Sequence, residues 1–185
     1  MKKVDETWGI IDVLTQTRHD WMNKLQLLKG NLALKKYDRA QKIIDQMVIE
    51  AQHESKLCQF KMEKFAEFIL TYNWLNRFLS IEYVVLGDVL NLSKIDEPLT
   101  EWTKQFFSLM ENLVEPNAEN HLMLTIETVG NRTRFLFDFQ GILNKEEELT
   151  LFLSTKSYDV IHITVLSCSR SQLTVNLEVT NEHMV

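Results

Sequence analysis

The feature that most constrains this chain is a repeat of apolar residues near its N-terminus, spaced three or four positions apart. Counted in heptads, two positions of the repeat collect nine residues, seven of them apolar: Val4, Thr7, Ile11, Leu14, Arg18, Trp21, Leu25, Leu28 and Leu32. This spacing places the apolar side chains on one stripe of an α-helix. It predicts one amphipathic helix from about residue 5 to 34, with a length of ~45 Å.

A second apolar stripe follows after a very short link. It runs through Tyr37, Ala40, Ile44, Met47, Ala51 and Cys58. The pattern predicts a second helix that ends near residue 58. Because the link at residues 35–38 is too short for a crossover, the two helices are predicted to form an antiparallel hairpin.

A two-helix hairpin cannot enclose a core, so its apolar stripe needs a further partner. We expect a second copy of the chain to cover it, which would form a dimeric four-helix bundle. Packing of the hairpin on the C-terminal half of its own chain is the alternative. The residues predicted to form the dimer core are Leu14, Trp21, Leu25, Leu28, Ile44 and Met47.

Beyond residue 60 the sequence alternates between helical and extended patterns. Helices are predicted at residues 62–80, 97–114 and 144–154, and strands at 81–89, 121–129, 132–140, 159–168 and 172–180. Two of these strands flank a Gly-Asn pair, as in a β-hairpin. The chain is therefore predicted to be α+β, with a helical hairpin over residues 1–60 and a mostly antiparallel α+β domain over residues 61–185.

Composition excludes several classes of protein. Hydrophobic residues make up 45% and charged residues 25%, a globular balance. No apolar run approaches the roughly 20 residues of a membrane span. The start of the chain has acids at Asp5 and Glu6 and no long apolar core, so it does not resemble a secretory signal. Cys58 and Cys168 have no metal-binding or redox spacing, and a formal charge of −6 disfavours nucleic acid. We expect a cytoplasmic protein with no metal site and no membrane or nucleic-acid partner.

The charge is unevenly distributed. Residues 17–36 carry five cations and a single acid, Asp20; the cations are Arg18, Lys24, Lys29, Lys35 and Lys36. One interpretation of this basic segment is a solvated helix face. The other is a docking surface for an acidic or phosphorylated partner.

His19 lies one step off the apolar stripe, so its imidazole is predicted to face solvent. A nucleophilic histidine needs a neutral ring, with one nitrogen free to attack and the other facing a proton acceptor. Asn23, one turn further along the same face, is suited to orient the ring or a phosphoryl oxygen. Arg18 and Lys24 are suited to offset the charge of a phosphoryl group. By spacing alone, a solvated surface histidine remains the simpler interpretation.

The sequence also supports predictions for Gly30 and His53, two other residues of the hairpin. Gly30 costs about 1 kcal/mol inside a helix. It therefore either ends or bends the first helix or leaves a flat patch for a partner. His53 is predicted to face away from the apolar stripe as a solvated helix residue.

The stretch RHDWMN, residues 18–23, matches the H-(E/D)-x-x-N box around the phosphorylated histidine of two-component histidine kinases. Over a longer span the chain resembles the sporulation initiation phosphotransferase B family of Bacillus-type phosphorelays, at residues 18–27, 29–31, 36–39, 47–49 and 53–57. The resemblance is densest over about residues 17–57 and continues more weakly to the C-terminus.

This resemblance implies a four-helix bundle formed by a homodimer. It implies that His19 accepts a phosphoryl group from the aspartate of one response regulator and passes it to the aspartate of a second, which controls sporulation. Any Mg²⁺ would belong to the regulators, and the C-terminal domain would resemble the kinase ATP-binding fold without a nucleotide site. The residues expected to support transfer or docking are Arg18, Asp20, Asn23, Lys24, Gln26 and Gly30.

The glycines support the expectation that ATP is not used. Nucleotide cradles rely on glycine because backbone amides must approach phosphates without an intervening Cβ. The five glycines of this chain include no GxG, and Asp138 and Asn112, in weak relics of kinase motifs, are interpreted as scaffold residues. We therefore expect a histidine-dependent phosphotransferase rather than an ATP-dependent kinase. A non-catalytic dimeric adaptor that sequesters a response regulator is the alternative.

Overall fold

The structure, a computed structural model, describes residues 8–75, 78–155 and 161–180. The chain divides into two compact units, Met1–Glu54 and Ser55–Val185. The boundary between the units lies inside the second helix. The first unit is helical, and the second combines helices with a five-stranded sheet, so the chain is α+β as predicted.

The helical hairpin consists of α1, Ile10–Ala33, and α2, which begins at Tyr37 and ends at Gln59. In the link, Lys35 adopts a left-handed backbone with φ 56°, and the Lys36 N–H donates to the Asn31 carbonyl at 2.9 Å. The predicted start near residue 5 is wrong as far as the described residues reach, because residues 8 and 9 are not helical. Residues 5–7 lie outside the described residues.

An ion pair joins the two helices of the hairpin. The Lys24 ammonium lies 2.5 Å from Oε2 of Glu50, and the Gln46 amide donates to Oε1 at 3.0 Å. Partial burial raises the pKa of Glu50, but these hydrogen bonds and the Lys24 charge outweigh it, so the pKa lies below its ordinary value. Half-buried residues of α2 recur at Ile43, Met47, Glu50 and His53, which is the spacing of a stripe packed against α1.

Much of the predicted dimer core remains exposed in the single chain. Four of its side chains are 41–55% exposed: Leu14, Trp21, Leu25 and Ile44. The other two, Leu28 and Met47, are half-buried. The hairpin therefore covers only part of its own apolar surface, and the rest forms an uncovered apolar stripe on α1 and α2.

In its described residues, the second unit contains the end of α2, three further α-helices and five strands. The helices are α3, Glu63–Thr71; α4, Asp96–Leu113; and α5, Glu146–Thr155. The strands are β1, Ser80–Gly87; β2, His121–Val129; β3, Arg132–Gln140; β4, His162–Cys168; and β5, Gln172–Thr180. The sheet order is β1-β2-β3-β5-β4, with β1 parallel to β2 and every other pair antiparallel. The mostly antiparallel sheet is confirmed.

The helix predicted over residues 62–80 is too long. α3 ends at Thr71, a short 3₁₀ turn follows at Tyr72–Trp74, and β1 begins at Ser80. The Asn73 side chain explains why the helix does not continue to residue 80. Its Nδ2 donates to the Ile81 carbonyl at 2.6 Å, and its Oδ1 accepts a hydrogen bond from the Ile81 N–H at 3.0 Å. Such a side chain competes with helical hydrogen bonding.

Strict alternation along the strands builds the core of the second unit. Every second residue of β2, β3 and β5 is buried, and the apolar side chains among them pack with α3, α4 and α5 in one cluster. Aromatic rings dominate beneath α4. Trp102 stacks on Phe106 with ring centroids 4.9 Å apart, and Phe106 meets Phe137 edge-to-face at 5.6 Å.

The N-terminus of α3 is capped by a residue from another helix. Met62, which precedes α3, makes no side-chain cap. Instead, the Asp96 carboxylate at the start of α4 accepts the backbone N–H groups of Lys64 at 3.0 Å and Phe65 at 2.9 Å. These are two of the amides that a helix leaves without intrahelical partners, so Asp96 ties the two helix starts together.

Replacing Asp96 should therefore weaken the second unit. We expect Asp96→Ala to lower the free energy of unfolding by about 1 to 2 kcal/mol, because two helix N–H groups lose their acceptor. Urea denaturation measures this difference. Asp88→Ala, which removes an exposed acid outside any helix, is the matched control and should have little effect. Equal stability of the two variants would show that water replaces the cap at no cost.

Candidate functional site

The His19 side chain is 68% exposed on α1, as its position off the apolar stripe predicts. Both of its described polar contacts are made at one ring nitrogen. Nδ1 lies 3.3 Å from the Asn23 amide nitrogen and 3.7 Å from a carboxylate oxygen of Asp20. Among the described residues, no hydrogen bond or ion pair engages Nε2. The arrangement therefore presents Nε2 to solvent and holds Nδ1 against the helix.

The two neighbours of Nδ1 favour opposite tautomers of the neutral ring. The amide nitrogen of Asn23 is a donor, so it suits an unprotonated Nδ1, with the proton on Nε2. The Asp20 carboxylate is an acceptor, so it suits a proton on Nδ1, with a free electron pair on Nε2. Rotating the Asn23 amide by half a turn replaces its donor with an acceptor, and both neighbours then favour the second tautomer.

Further predicted site residues follow His19 along the same face of α1. Asn23, Gln26 and Gly30 lie four, seven and eleven positions later, which places them within about 40° of His19 around the helix axis. Gly30 is inside α1, so it does not end the helix. No heavy atom lies within 4 Å of the position that a Cβ would occupy there. Gly30 therefore leaves an open, flat patch on this face.

The two predicted cations are placed differently. Arg18 is exposed directly before His19. Lys24 lies five positions after His19, about 140° around the helix, where it pairs with Glu50 of α2. The structure thus groups Asp20 and Asn23 with the imidazole and directs Lys24 toward the second helix.

His53 differs from its prediction as a solvated residue. It is half-buried, because it lies on the stripe of α2 that packs against α1, one turn after Glu50. Its spacing of three from the half-buried Glu50 is the signal from which this position follows. The pattern of apolar residues alone does not indicate it.

The kinase-motif relics of the second unit serve the scaffold. Asp138 accepts a hydrogen bond from the Thr174 hydroxyl at 3.2 Å, and the Asn112 amide donates to the Ser108 carbonyl at 2.8 Å. In the described ranges, no group of three or more His, Cys, Asp or Glu side chains is close enough to hold a metal ion. Among those same residues, no helix combines the length and the apolar content that crossing a membrane requires.

Several solved structures share features with this chain at low similarity. The Acinetobacter baumannii histidine kinase AdeS is 11% identical, with a TM-score of 0.46, over 89% of this chain and 98% of that one. The histidine kinase domain of the Erythrobacter litoralis EL346 blue-light activated histidine kinase is 9% identical, with a TM-score of 0.45, over 64% of each chain. A bacterial phosphotransferase structure is 12% identical, with a TM-score of 0.42, over 95% of this chain and all of that one.

Sequence families cover both units. Residues 1–60 match the α-helical domain of SpoOB-type sensor kinases, and residues 61–180 match the C-terminal domain of sporulation initiation phosphotransferase B. The chain is also 45% identical over 134 residues to sporulation initiation phosphotransferase B of Bacillus subtilis strain 168, which covers 71% of this chain and 70% of the relative. This chain therefore belongs to the sporulation initiation phosphotransferase B family.

Proposed function

We propose that this protein is a phosphorelay phosphotransferase of the cytoplasm. His19 accepts a phosphoryl group from the aspartate of one response regulator and passes it to the aspartate of a second regulator that controls sporulation. The observation that carries the proposal is the exposed imidazole whose Nδ1 is engaged while Nε2 faces solvent. Membership of the sporulation initiation phosphotransferase B family supports the same reaction.

The transfer needs little from the protein beyond position and charge. Nε2 of the neutral ring attacks phosphorus, an N–P bond forms, and the P–O bond to the regulator's aspartate breaks, which releases its carboxylate. The ring then carries a positive charge, and the Asp20 carboxylate beside Nδ1 stabilises it. Transfer to the second regulator reverses these steps, since its aspartate oxygen attacks the same phosphorus and Nε2 leaves.

The face around His19 suits the approach of a folded regulator. Asn23 and Gln26 are polar, and Gly30 leaves open space one to three turns beyond the imidazole. Exposed Leu27 and Leu34 flank this surface. A flat surface with a few apolar side chains lets two different regulators dock in turn without a deep pocket. Mg²⁺ would enter with the regulator, in its own acidic site.

The uncovered apolar stripe supports a homodimer built as a four-helix bundle. Trp21, Leu25 and Ile44 expose large apolar side chains that are costly to leave in water. His19 lies about 160° around α1 from Trp21, so a dimer that covers the stripe leaves the imidazole accessible. Each bundle would then present two transfer sites.

Two features support a function without ATP. The second unit has no GxG. Of its three glycines, Gly87 ends β1, Gly130 turns the β2–β3 hairpin, and Gly141 follows β3 against the side chains of Asn120 and Phe139. Beneath α4, the rings of Trp102, Phe106 and Phe137 pack against one another in the space between helix and sheet. The second unit is therefore proposed to act as a scaffold.

Removing the imidazole should abolish phosphoryl acceptance without unfolding the protein. We expect His19→Gln to keep the helical content of the wild type, because the side chain is exposed, and to take up no label from a phosphorylated regulator. His162→Gln, which alters an exposed histidine of β4, is the control and should accept label normally. Label retained on His19→Gln would refute the assignment. A wild-type protein that binds the regulator but never carries acid-labile phosphate would favour the adaptor.

The dimer can be tested by a charge in its proposed core. Leu25→Glu would bury a carboxylate without a partner, so we expect a monomer or an unfolded hairpin in sedimentation at micromolar concentration. Ile49→Glu is the control, because Ile49 is also exposed but lies about 140° around α2 from Ile44. A Leu25→Glu protein that remains dimeric would show that another surface covers the stripe.

The absence of a nucleotide function is tested by calorimetry. We expect no heat of binding for Mg·ATP at millimolar concentration, a limit that corresponds to roughly −4 kcal/mol. Incubation with labelled ATP and no regulator should leave His19 unmodified. Autophosphorylation under those conditions would instead identify a kinase.

A further inference from the structure

We propose that Asn23 is a positioning residue that lengthens the lifetime of phosphorylated His19, and that it does so by donating a hydrogen bond to Nδ1 of the ring. The inference rests on the proposed function, because it concerns the phosphorylated form of the same imidazole. Asn23 lies four positions after His19, one turn along the same face of α1, and its amide nitrogen is 3.3 Å from Nδ1. Asn23 therefore reaches the ring at the nitrogen that does not carry the phosphoryl group.

The exposure of His19 makes such a role useful. The His19 side chain is 68% exposed, so a phosphoryl group on Nε2 would stand in water. Water would then compete with the second regulator for the phosphorus atom throughout the interval between the two transfers. Protection at an exposed position has to come from the chemistry of the ring rather than from burial of the phosphoryl group.

The protonation of Nδ1 decides how readily the phosphoryl group leaves. When Nδ1 carries a proton, the N–P bond breaks with its electron pair going to Nε2, and the ring leaves as neutral imidazole. When Nδ1 has no proton, the ring would have to leave as an imidazolate anion, which is a far poorer leaving group. A donor at Nδ1 stabilises the unprotonated, slowly reacting ring, and an acceptor stabilises the protonated, fast-reacting ring. The proton passes to water after His19 is phosphorylated and returns from water before release.

Distance and solvent favour the donor in the protein without a regulator. The Asn23 amide nitrogen is at hydrogen-bond distance from Nδ1, whereas the Asp20 carboxylate oxygen, at 3.7 Å, is beyond it. Asp20 therefore acts on the ring through its charge, and water weakens that action because the Asp20 side chain is 49% exposed. A docked regulator would exclude water and strengthen the attraction between Asp20 and a protonated ring. The phosphoryl group would thus be held until a regulator is present to receive it.

The direction of the effect distinguishes this role from two simpler roles of Asn23. Before phosphorylation, a donor at Nδ1 favours the tautomer whose proton lies on Nε2, so Asn23 slows acceptance of the phosphoryl group as well as its loss. A side chain that only orients the ring would instead speed acceptance. A side chain that only contacts the regulator would change neither rate in a reaction that contains no regulator.

The test uses phosphoramidate, a small donor whose phosphoryl group moves to Nε2 with release of ammonia. Intact-protein mass spectrometry measures the label, and the part that depends on His19 is the difference from the same protein carrying His19→Gln. We expect Asn23→Ala to gain this label roughly fivefold faster and to lose it in buffer roughly fivefold faster, the size of effect that one modest hydrogen bond supports. Gln41→Ala, which removes an exposed hydrogen bond between side chains four positions apart on α2, is the matched control and should leave both rates unchanged.

A second variant and a spectrum test the donor itself. Asn23→Asp keeps the shape of the side chain and replaces its N–H donors with a carboxylate acceptor. We expect its phosphohistidine to have a shorter half-life than that of Asn23→Ala. Nitrogen-15 NMR of the full chain should also show unphosphorylated His19, identified as the imidazole signal missing from His19→Gln, shifting toward the Nδ1–H tautomer in Asn23→Ala.

The outcomes separate failure of the inference from failure of the proposed function. Slower labelling of Asn23→Ala, an unchanged half-life of its phosphohistidine, or a half-life in Asn23→Asp as long as in the wild type would overturn the inference and leave the proposed function intact. A wild-type protein that phosphoramidate labels at His19, but that a phosphorylated regulator never labels, would overturn the proposed function, and the inference would fall with it.

Discussion

Helical periodicity in α1 places the uncovered apolar stripe and His19 on different sides of the helix, and the proposed transfer site depends on that separation. A rotation of 100° per residue puts Trp21 and Leu25 on the side of the uncovered stripe and leaves His19 on the opposite side. An imidazole on the stripe would be buried by any partner that covers it. An apolar side chain in place of Asn23 or Gln26 would make the proposed docking face prone to nonspecific association. α1 can serve both the proposed assembly and the proposed chemistry only because these residues lie on different sides of the helix.

The local chemistry of His19 comes from one turn of that helix. Asp20 and Asn23 both approach Nδ1, and the described residues make no hydrogen bond or ion pair with Nε2. The Lys24–Glu50 pair then connects this turn to α2, and its half-exposed groups contribute little to stability by themselves. It joins the two helices of the hairpin through one contact between side-chain ends.

The second unit uses its sequence for packing. Phe135, Phe137 and Phe139 alternate along β3 and face the helices, while Asp138 between them points to the other face and binds Thr174. The same alternation that builds the core therefore places the Asp138 side chain on the face of the sheet away from the helices. The Asp96 cap shows how helices in this unit depend on distant residues, since α3 lacks a side-chain cap of its own.

The sequence by itself determined the elements with a strong period. The hairpin, the β2–β3 turn at residues 130–131 and the exposure of His19 all follow from spacings of 3.6 or 2 residues, which local backbone geometry dictates. It also supplied the family resemblance, through a run of residues around His19. Only the tertiary structure decided the end of α3, where Asn73 bonds the start of β1, and the positions of Lys24 and His53. The physical reason is that these positions depend on contacts between separate elements, and no local pattern encodes which residues of two helices lie at the same level.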